Sequence, residues 1–208
     1  MGEKKIEQIK NLKFKLFDLY ETENIIVNDI GLRSVINLNP KLIPKSYGRN
    51  VAKFGQTRVN IVERLINRIC VAGHRGKKHK IIVGHSTGKF SKIAKKVIEA
   101  FKIIEKRKGK NPVEVFVRAI ENSAPRDEIT TIEYGGARYP VAVDVSPLRR
   151  VNLAIKHIVH GAFDRSFGKK KKIEEALAEE IILASEGNQE SFAIRKKIEL
   201  EKQADSAR

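Results

Sequence analysis

The chain has 208 residues, 41% of them apolar, with 42 Lys and Arg against 25 Asp and Glu for a formal net charge of +17. That length and apolar content suit one packed domain carrying extensions and exclude a wholly disordered chain. No run approaches the roughly 18 apolar residues of a membrane span, the N-terminus lacks a signal peptide's unbroken apolar stretch, and a single cysteine, Cys70, leaves no internal disulfide and fits a reducing, cytoplasmic setting.

The charge is concentrated rather than spread. Residues 49–110 hold 18 Lys and Arg against Glu63, Glu99 and Glu105, a net of +15, whereas residues 173–208 hold five basic and nine acidic side chains, a net of −4. A surplus gathered in one region is the footprint of a polyanion. No amphipathic segment couples Trp or Phe to this charge as a membrane-surface helix does, so nucleic acid is the expected partner.

Residues 1–50 read as a basic N-terminal arm, expected to be ordered mainly by what it binds. Ile25 to Val27 and Ser34 to Leu38 are short β-like runs, and NPKLIPKSYGRN (39–50) places two prolines and a glycine in a basic linker. Residues 51–208 read as a helical domain. Its first helix is expected to begin at Thr57 or Arg58, with Val62, Leu65, Ile66 and Ile69 in one apolar stripe and Arg58, Arg64 and Arg68 largely off it.

A loop from Gly73 to Gly88 follows, containing HRGKKHK (74–80) and most of IIVGHSTGKFSK (81–92). Phosphate loops of nucleotide hydrolases put four residues between their glycines and a Ser or Thr after the lysine. Here three residues separate Gly84 from Gly88 and Phe90 follows Lys89, so nucleotide hydrolysis is not expected. Glycine amides beside a lysine instead suit the phosphates of a polynucleotide.

The second helix, about Phe90 to Lys108, turns Ile93, Val97, Ala100, Phe101 and Ile104 inward and Lys92, Lys95, Lys96, Lys102 and Lys106 elsewhere. Asn111–Pro112 starts a third, with Val113, Phe116, Val117 and Ile120 as its stripe, and SAP (123–125) ends it. The period then changes: β-rich runs Ile129 to Tyr134 and Tyr139 to Val145 flank GGAR and predict a hairpin at about 129–145. Ser146–Pro147 opens the fourth helix, with Leu148, Val151, Ile155, Ile158, Val159 and Ala162 inward. After a basic loop, Phe167 to Lys172, two charged helices are expected at about 173–186 and 189–206. The predicted fold is mainly α: a bundle of about six helices, a protruding β-hairpin between the third and fourth, and an N-terminal extension.

No catalytic set emerges. Cys70, His74, His79 and His85 lack the paired thiolates and spacing of a zinc site, and Cys70 is expected to be buried and inert. His157, His160 and Asp164 resemble a base with its orienting acid, but no nucleophile accompanies them, so a solvated helix face is expected. Glu174, Glu175, Glu179 and Glu180 read as another solvated face at a helix N-terminus. Neither a metal nor a cofactor is expected.

The stretches RVNIVERLINRI (58–69), NPVEVFVRAIENSAPRDE (111–128), YGGARYPVAVDVSPLRRVNLAI (134–155) and SFAIRKKIELEKQADSAR (191–208), in this order, closely resemble the family of ribosomal protein seven of the small subunit. The likeness runs from about Phe14 to Arg208 and favours the archaeal and eukaryotic branch. It implies a structural, non-enzymatic ribosomal protein that binds the RNA of the small-subunit head, helps nucleate head assembly, and touches neighbouring ribosomal proteins. It also implies a hairpin beside the exit site for transfer RNA, near the path of departing messenger. In that family a Gly–Lys pair commonly precedes the second helix, the place taken here by Gly88–Lys89.

The expected contacts to ribosomal RNA are Arg49, Lys53, Arg58, Arg64, Arg68, Arg75, Lys77, Lys78, Lys80, Lys89, Lys92, Arg126, Arg149, Arg150, Lys169 and Lys170. Tyr134, Gly135, Gly136, Arg138 and Tyr139 are the expected exit-site hairpin residues. The main rival reading is a free-standing RNA- or DNA-binding regulator with the same charge distribution.

Overall fold

Seven α-helices and one two-stranded ribbon make up the regular structure of the described residues, 14–75 and 88–208 of the computed structural model. In chain order they are α1 (Ile30–Arg33), a 3₁₀ turn (Gly55–Arg58), α2 (Ile61–Ile69), α3 (Phe90–Lys108), α4 (Pro112–Ser123), β1 (Asp127–Tyr134), β2 (Ala137–Asp144), α5 (Pro147–Ser166), α6 (Ile173–Ser185) and α7 (Phe192–Asp205). The bundle with an inserted hairpin is as expected. One short helix, α1, precedes the six predicted ones, so the ribbon falls between the fourth and fifth.

Local chemistry sets the boundaries. The Asn60 side chain accepts from the Val62 amide at 2.9 Å and so caps α2, which starts later than expected because the 3₁₀ turn occupies the residues before it. Gly109, at φ 62°, ends α3 in a left-handed turn, and Asn111 then caps α4 through the Val113 amide at 3.0 Å, with Pro112 at the first helical position. Phe101, Phe116, Leu65, Ile158, Leu177 and Ile181, drawn from five helices, are fully buried in one cluster. Each such side chain stabilises the fold by about 1.5–3 kcal/mol.

Two expectations about the arm change. The run Ser34 to Leu38 is not a strand: Leu32, Val35 and Ile36 recur at i, i+3 and i+4 and turn inward from α1 and the residues after it. The Asp29 carboxylate caps this helix through the Gly31 amide at 2.9 Å, and the run's sole pairing is an isolated bridge between Asn37 and Asn60. Ile25 to Val27 likewise forms no strand. Among the described residues of the arm, several side chains also pack on the domain itself. Leu16, Tyr20, Val27, Leu32, Val35 and Ile36 belong to the common core, and the Tyr20 ring meets Phe101 edge-on at 6.0 Å.

A third correction concerns Glu180, expected on a solvated face. It is 0% exposed, accepts from the Ser191 hydroxyl at 2.7 Å and the Ala193 amide at 3.1 Å, and pairs with Arg165 at 3.3 Å. α6 is covered by α3, α4 and α5, so little of its surface is left for solvent.

The ribbon pairs Asp127 with Asp144 through to Tyr134 with Ala137. Only Gly135 and Gly136 form its turn, at φ 57° and 80°, the pair of positive angles a two-residue hairpin turn needs. The strands therefore begin two residues earlier than expected at Asp127 and take in Ala137 and Arg138. The root is fixed by Arg149 Nε to Glu128 at 2.5 Å and Arg208 to Asp127 at 2.6 Å; residues 129–140 are exposed.

Candidate nucleic-acid interface

α2 and the first half of α5 bound a cleft of about 630 Å³. On α2 the residues Arg64, Asn67 and Arg68 share one side by helical spacing; on α5 Arg149, Asn152 and Lys156 do the same at i, i+3 and i+7. Phe54 and Gln56 close it from the 3₁₀ turn and the residue before it, and no Asp or Glu among the described residues lines it. Four cations line it, and of these only Arg149, at the edge, has a carboxylate partner, Glu128, so the cleft suits an anion.

The four cations differ in what they do. Arg64 is only 4% exposed, and its guanidinium donates to the Val35 carbonyl at 3.1 Å and Asn152 Oδ1 at 2.9 Å. Asn152 in turn donates to Gln56 Oε1 at 3.0 Å. The expectation that Arg64 lies off the buried face fails because α2 is enclosed on nearly every side. Burial pulls its pKa down to about 10, still charged at neutral pH. Arg68, half-buried, donates to His160 Nε2 at 3.1 Å. Lys156 has its pKa lowered by burial first and then by the charges of Arg68 and Arg149. Arg149 is exposed at the edge and bound to Glu128, which raises its pKa through that hydrogen bond.

His157 and His160, expected on a solvated face, are 9% and 5% exposed. α5 is a central helix, packed by α2, α6 and α7, so little of it can face water. Burial first, then the charges of Arg68 and Arg75, lowers His160 to about 3; burial first, then the charges of Lys156 and Lys196, lowers His157 to about 4. Both rings are neutral, and His160 must carry its proton on Nδ1 to accept from Arg68. Asp164 orients neither; it pairs with Arg75, which also donates to the His160 carbonyl at 3.3 Å.

Outside the cleft, Arg49, Lys53 and Arg58 lie exposed on the segment leading to α2, and Lys89 and Lys92 are exposed at the start of α3. Lys169 and Lys170 are exposed between α5 and α6, and Arg126 is exposed before β1. Arg150 is mostly buried: it pairs with Asp29 at 2.9 Å and donates to the Pro125 carbonyl at 3.2 Å. The cleft therefore unites Arg64, Arg68 and Arg149, and its walls include none of the other expected contacts. Lys77, Lys78 and Lys80, with His79, His85 and Gly84, fall outside the described residues.

Lys156, Phe54 and Tyr47 escape the sequence reading. Lys156 is detectable from its seven-residue spacing to Arg149. The rings have a weaker signal, the alternation of aromatic and basic residues in SYGRNVAKF (46–54). In the structure Lys45 lies 4.6 Å and Arg49 5.9 Å from the Tyr47 ring centre, and Lys53 lies 5.4 Å from that of Phe54.

At the ribbon's far end Tyr134 is 82% and Tyr139 55% exposed. The register sets Tyr139 against Ile132 and Tyr134 against Ala137, not the tyrosines against one another. Cys70 is half-buried, its thiol pKa raised by burial. Among the described residues no His, Cys, Asp and Glu group is arranged to hold a metal, and no helix is long and apolar enough to cross a membrane.

A family profile described as ribosomal protein S7p/S5e matches residues 32–208. The chain is 56% identical over 198 residues to the small ribosomal subunit protein uS7 of Nanoarchaeum equitans, covering 95% of this chain and 100% of that one. It is 45% identical over 193 residues to the uS7 of Methanothermobacter thermautotrophicus, covering 92% and 98% respectively.

Proposed function

Since the chain belongs to the ribosomal protein S7p/S5e family, in its archaeal-type branch, we propose that it binds the RNA of the small-subunit head and helps nucleate assembly of that head. Its place in the family makes it a structural rather than enzymatic constituent of the small ribosomal subunit, at work on cytoplasmic ribosomes. The observation that carries the RNA reading is the acid-free cleft between α2 and α5, where Arg68, Arg149 and Lys156 gather without a carboxylate in the walls. Phosphate neutralisation supplies most nucleic-acid affinity, and cations gathered in a cleft attract an anion.

Around it, Arg49, Lys53, Arg58, Lys89, Lys92, Arg126, Lys169 and Lys170 present exposed charge for further phosphates. Arg64 and Arg150 act through what they hold: Arg64 fixes Asn152, and Arg150 fixes the root of the ribbon. The ribbon tip, with Tyr134, Arg138 and Tyr139 around Gly135 and Gly136, reaches toward exit-site transfer RNA and departing messenger. Two exposed rings beside an arginine suit stacking on an unpaired base.

The test is sedimentation with crosslinking. The protein should co-migrate with small subunits through a high-salt wash, and its crosslinks should map to head RNA through residues 49–110 and α5. A protein that washes off and is found instead on one messenger or DNA site would establish the regulator reading.

A further inference from the structure

Phe54 combines two features that burial in the core does not account for. The residue is 63% exposed, and its backbone is left-handed, φ 61° and ψ 8°, a conformation that strains a bulky L residue. The glycine that would relieve this sits one place too late. Gly55 occupies the next position, where a Cβ would come 2.9 Å from the Asn50 carbonyl oxygen. The turn is held by Gly55 N to Ala52 O at 2.7 Å and Thr57 N to Phe54 O at 3.0 Å, so the strain is imposed by its surroundings. A strained, exposed ring held in place is expected at a binding site rather than in a spacer.

That ring is also a wall of the cleft between α2 and α5. Two buried guanidinium nitrogens there, Arg64 Nε and Arg68 Nε, have no hydrogen-bond partner, although buried donors are almost always partnered. Arg64 is more than nine-tenths buried. Gln56 has its amide oxygen engaged by Asn152, which leaves its NH₂ donors for an incoming acceptor. The cleft thus offers an aromatic ring, amide donors and the cations Arg68 and Lys156, with Arg149 shared with Glu128 at its edge, within about 630 Å³, a size that holds one small ligand.

From this geometry, and resting on the RNA-binding reading above, we propose that the cleft is a pocket for a single unpaired RNA nucleotide. Its base stacks on Phe54, its edge meets Gln56 and Asn67, and its phosphate sits among Arg68, Arg149 and Lys156. A paired, stacked base has no free face to offer the ring; a splayed one has, and every base carries a π face.

The test uses the full chain bound to small-subunit RNA, with 2′-hydroxyl acylation to report unpaired nucleotides and ultraviolet crosslinking read by mass spectrometry. In the wild-type complex one unpaired nucleotide should lose reactivity, and a nucleotide adduct should appear on the peptide bearing Phe54. Phe54→Ala and Phe54→Gly should restore that reactivity and weaken binding by roughly five- to 150-fold, while Phe54→Tyr keeps both. Phe54→Gly should melt no lower than wild type, because glycine accepts the positive φ, so its loss of binding is not loss of fold. Unchanged affinity and footprint in both ring-less variants would overturn the pocket while leaving RNA binding intact, as would protection of phosphates alone. A wild-type chain that does not bind the RNA would overturn both readings.

Discussion

Gly161 on α5 stands so close to Glu180 on α6 that a Cβ there would lie 2.7 Å from Glu180 Cδ and 2.8 Å from both Glu180 Oε1 and Phe192 Cβ. The carboxylate cannot retreat, because the Ser191 hydroxyl, the Ala193 amide and Arg165 all hold it. Two helices and the start of a third are locked at a contact only hydrogen can fill.

Gly161→Ala should therefore destabilise the protein by about 1–3 kcal/mol, the usual cost of overpacking. The roughly 0.8–1.0 kcal/mol that alanine gains over glycine in a helix offsets only part of the clash. Thermal unfolding checks this; a melting temperature at or above wild type would mean that α5 and α6 can separate freely.

Arg64 and Arg58 should separate folding from binding. Arg64→Ala strips a buried carbonyl and a half-buried amide oxygen of their donor and should cost about 2–3 kcal/mol in urea unfolding. Arg58→Ala, at an exposed site, should change stability by no more than about 0.5 kcal/mol yet weaken RNA binding. The opposite pattern would show that the buried guanidinium is a ligand contact and the exposed one a structural residue.

Affinity for RNA should fall steeply with salt. If about six to eight cations from residues 49–110 and α5 contact phosphates, log K against log salt should slope by roughly −4 to −7. Removing Lys53, Lys92 or Lys156 singly should flatten that slope by a little under one. A slope near zero, or one that ignores these substitutions, would contradict the electrostatic account.

Stability should also depend on pH through α5. In the fold His157 and His160 are held neutral down to about 4 and 3, against 6.5 when unconstrained. Between those values the unfolded chain binds the extra protons, so this stability is full above about pH 6.5 and is lost as pH falls. Each histidine adds up to about 1.4 kcal/mol per pH unit across its window. Both ring nitrogens of His157 are buried without a partner, so His157→Leu should flatten the slope between pH 6.5 and 4.5. Equal slopes in variant and wild type would show that the ring is already protonated or already exposed at pH 6.

The ribbon tip should be separable from anchoring. Replacing residues 133–139 with a two-residue turn should leave subunit assembly near normal but change exit-site occupancy or frame maintenance. Failed assembly, or translation indistinguishable from wild type, would remove the tip from the exit site.

What could be read in advance followed from local periodicity. The stripes of α3 and α4, the Asn111–Pro112 start and the Gly135–Gly136 turn are all written in neighbouring residues. Burial of Arg64, His157, His160 and Glu180 is not, because α2, α5 and α6 are covered on several sides and a polar residue inside such a helix looks like one outside it. The run from Ser34 misled for a related reason: Val35 and Ile36 favour strands, but they complete a helical turn with Leu32. Of the cleft, the Arg149–Asn152–Lys156 spacing was legible, whereas the left-handed backbone of Phe54 comes from contacts around Ala52 and Gly55. The proposal that the partner is head RNA rests on the family likeness; charge alone says only polyanion.

The fastening at Arg150 has a mechanical consequence. One guanidinium ties Asp29 of the arm and the Pro125 carbonyl to α5, just where the ribbon leaves the bundle. Eight residues per strand at about 3.3 Å each make a projection of about 26 Å. Over that length a tilt of about 10° at the root swings the tip by about 5 Å, more than the spacing between stacked bases. The aim of Tyr134 is thus fixed at the opposite end of the ribbon, by charges that never approach whatever the tip touches.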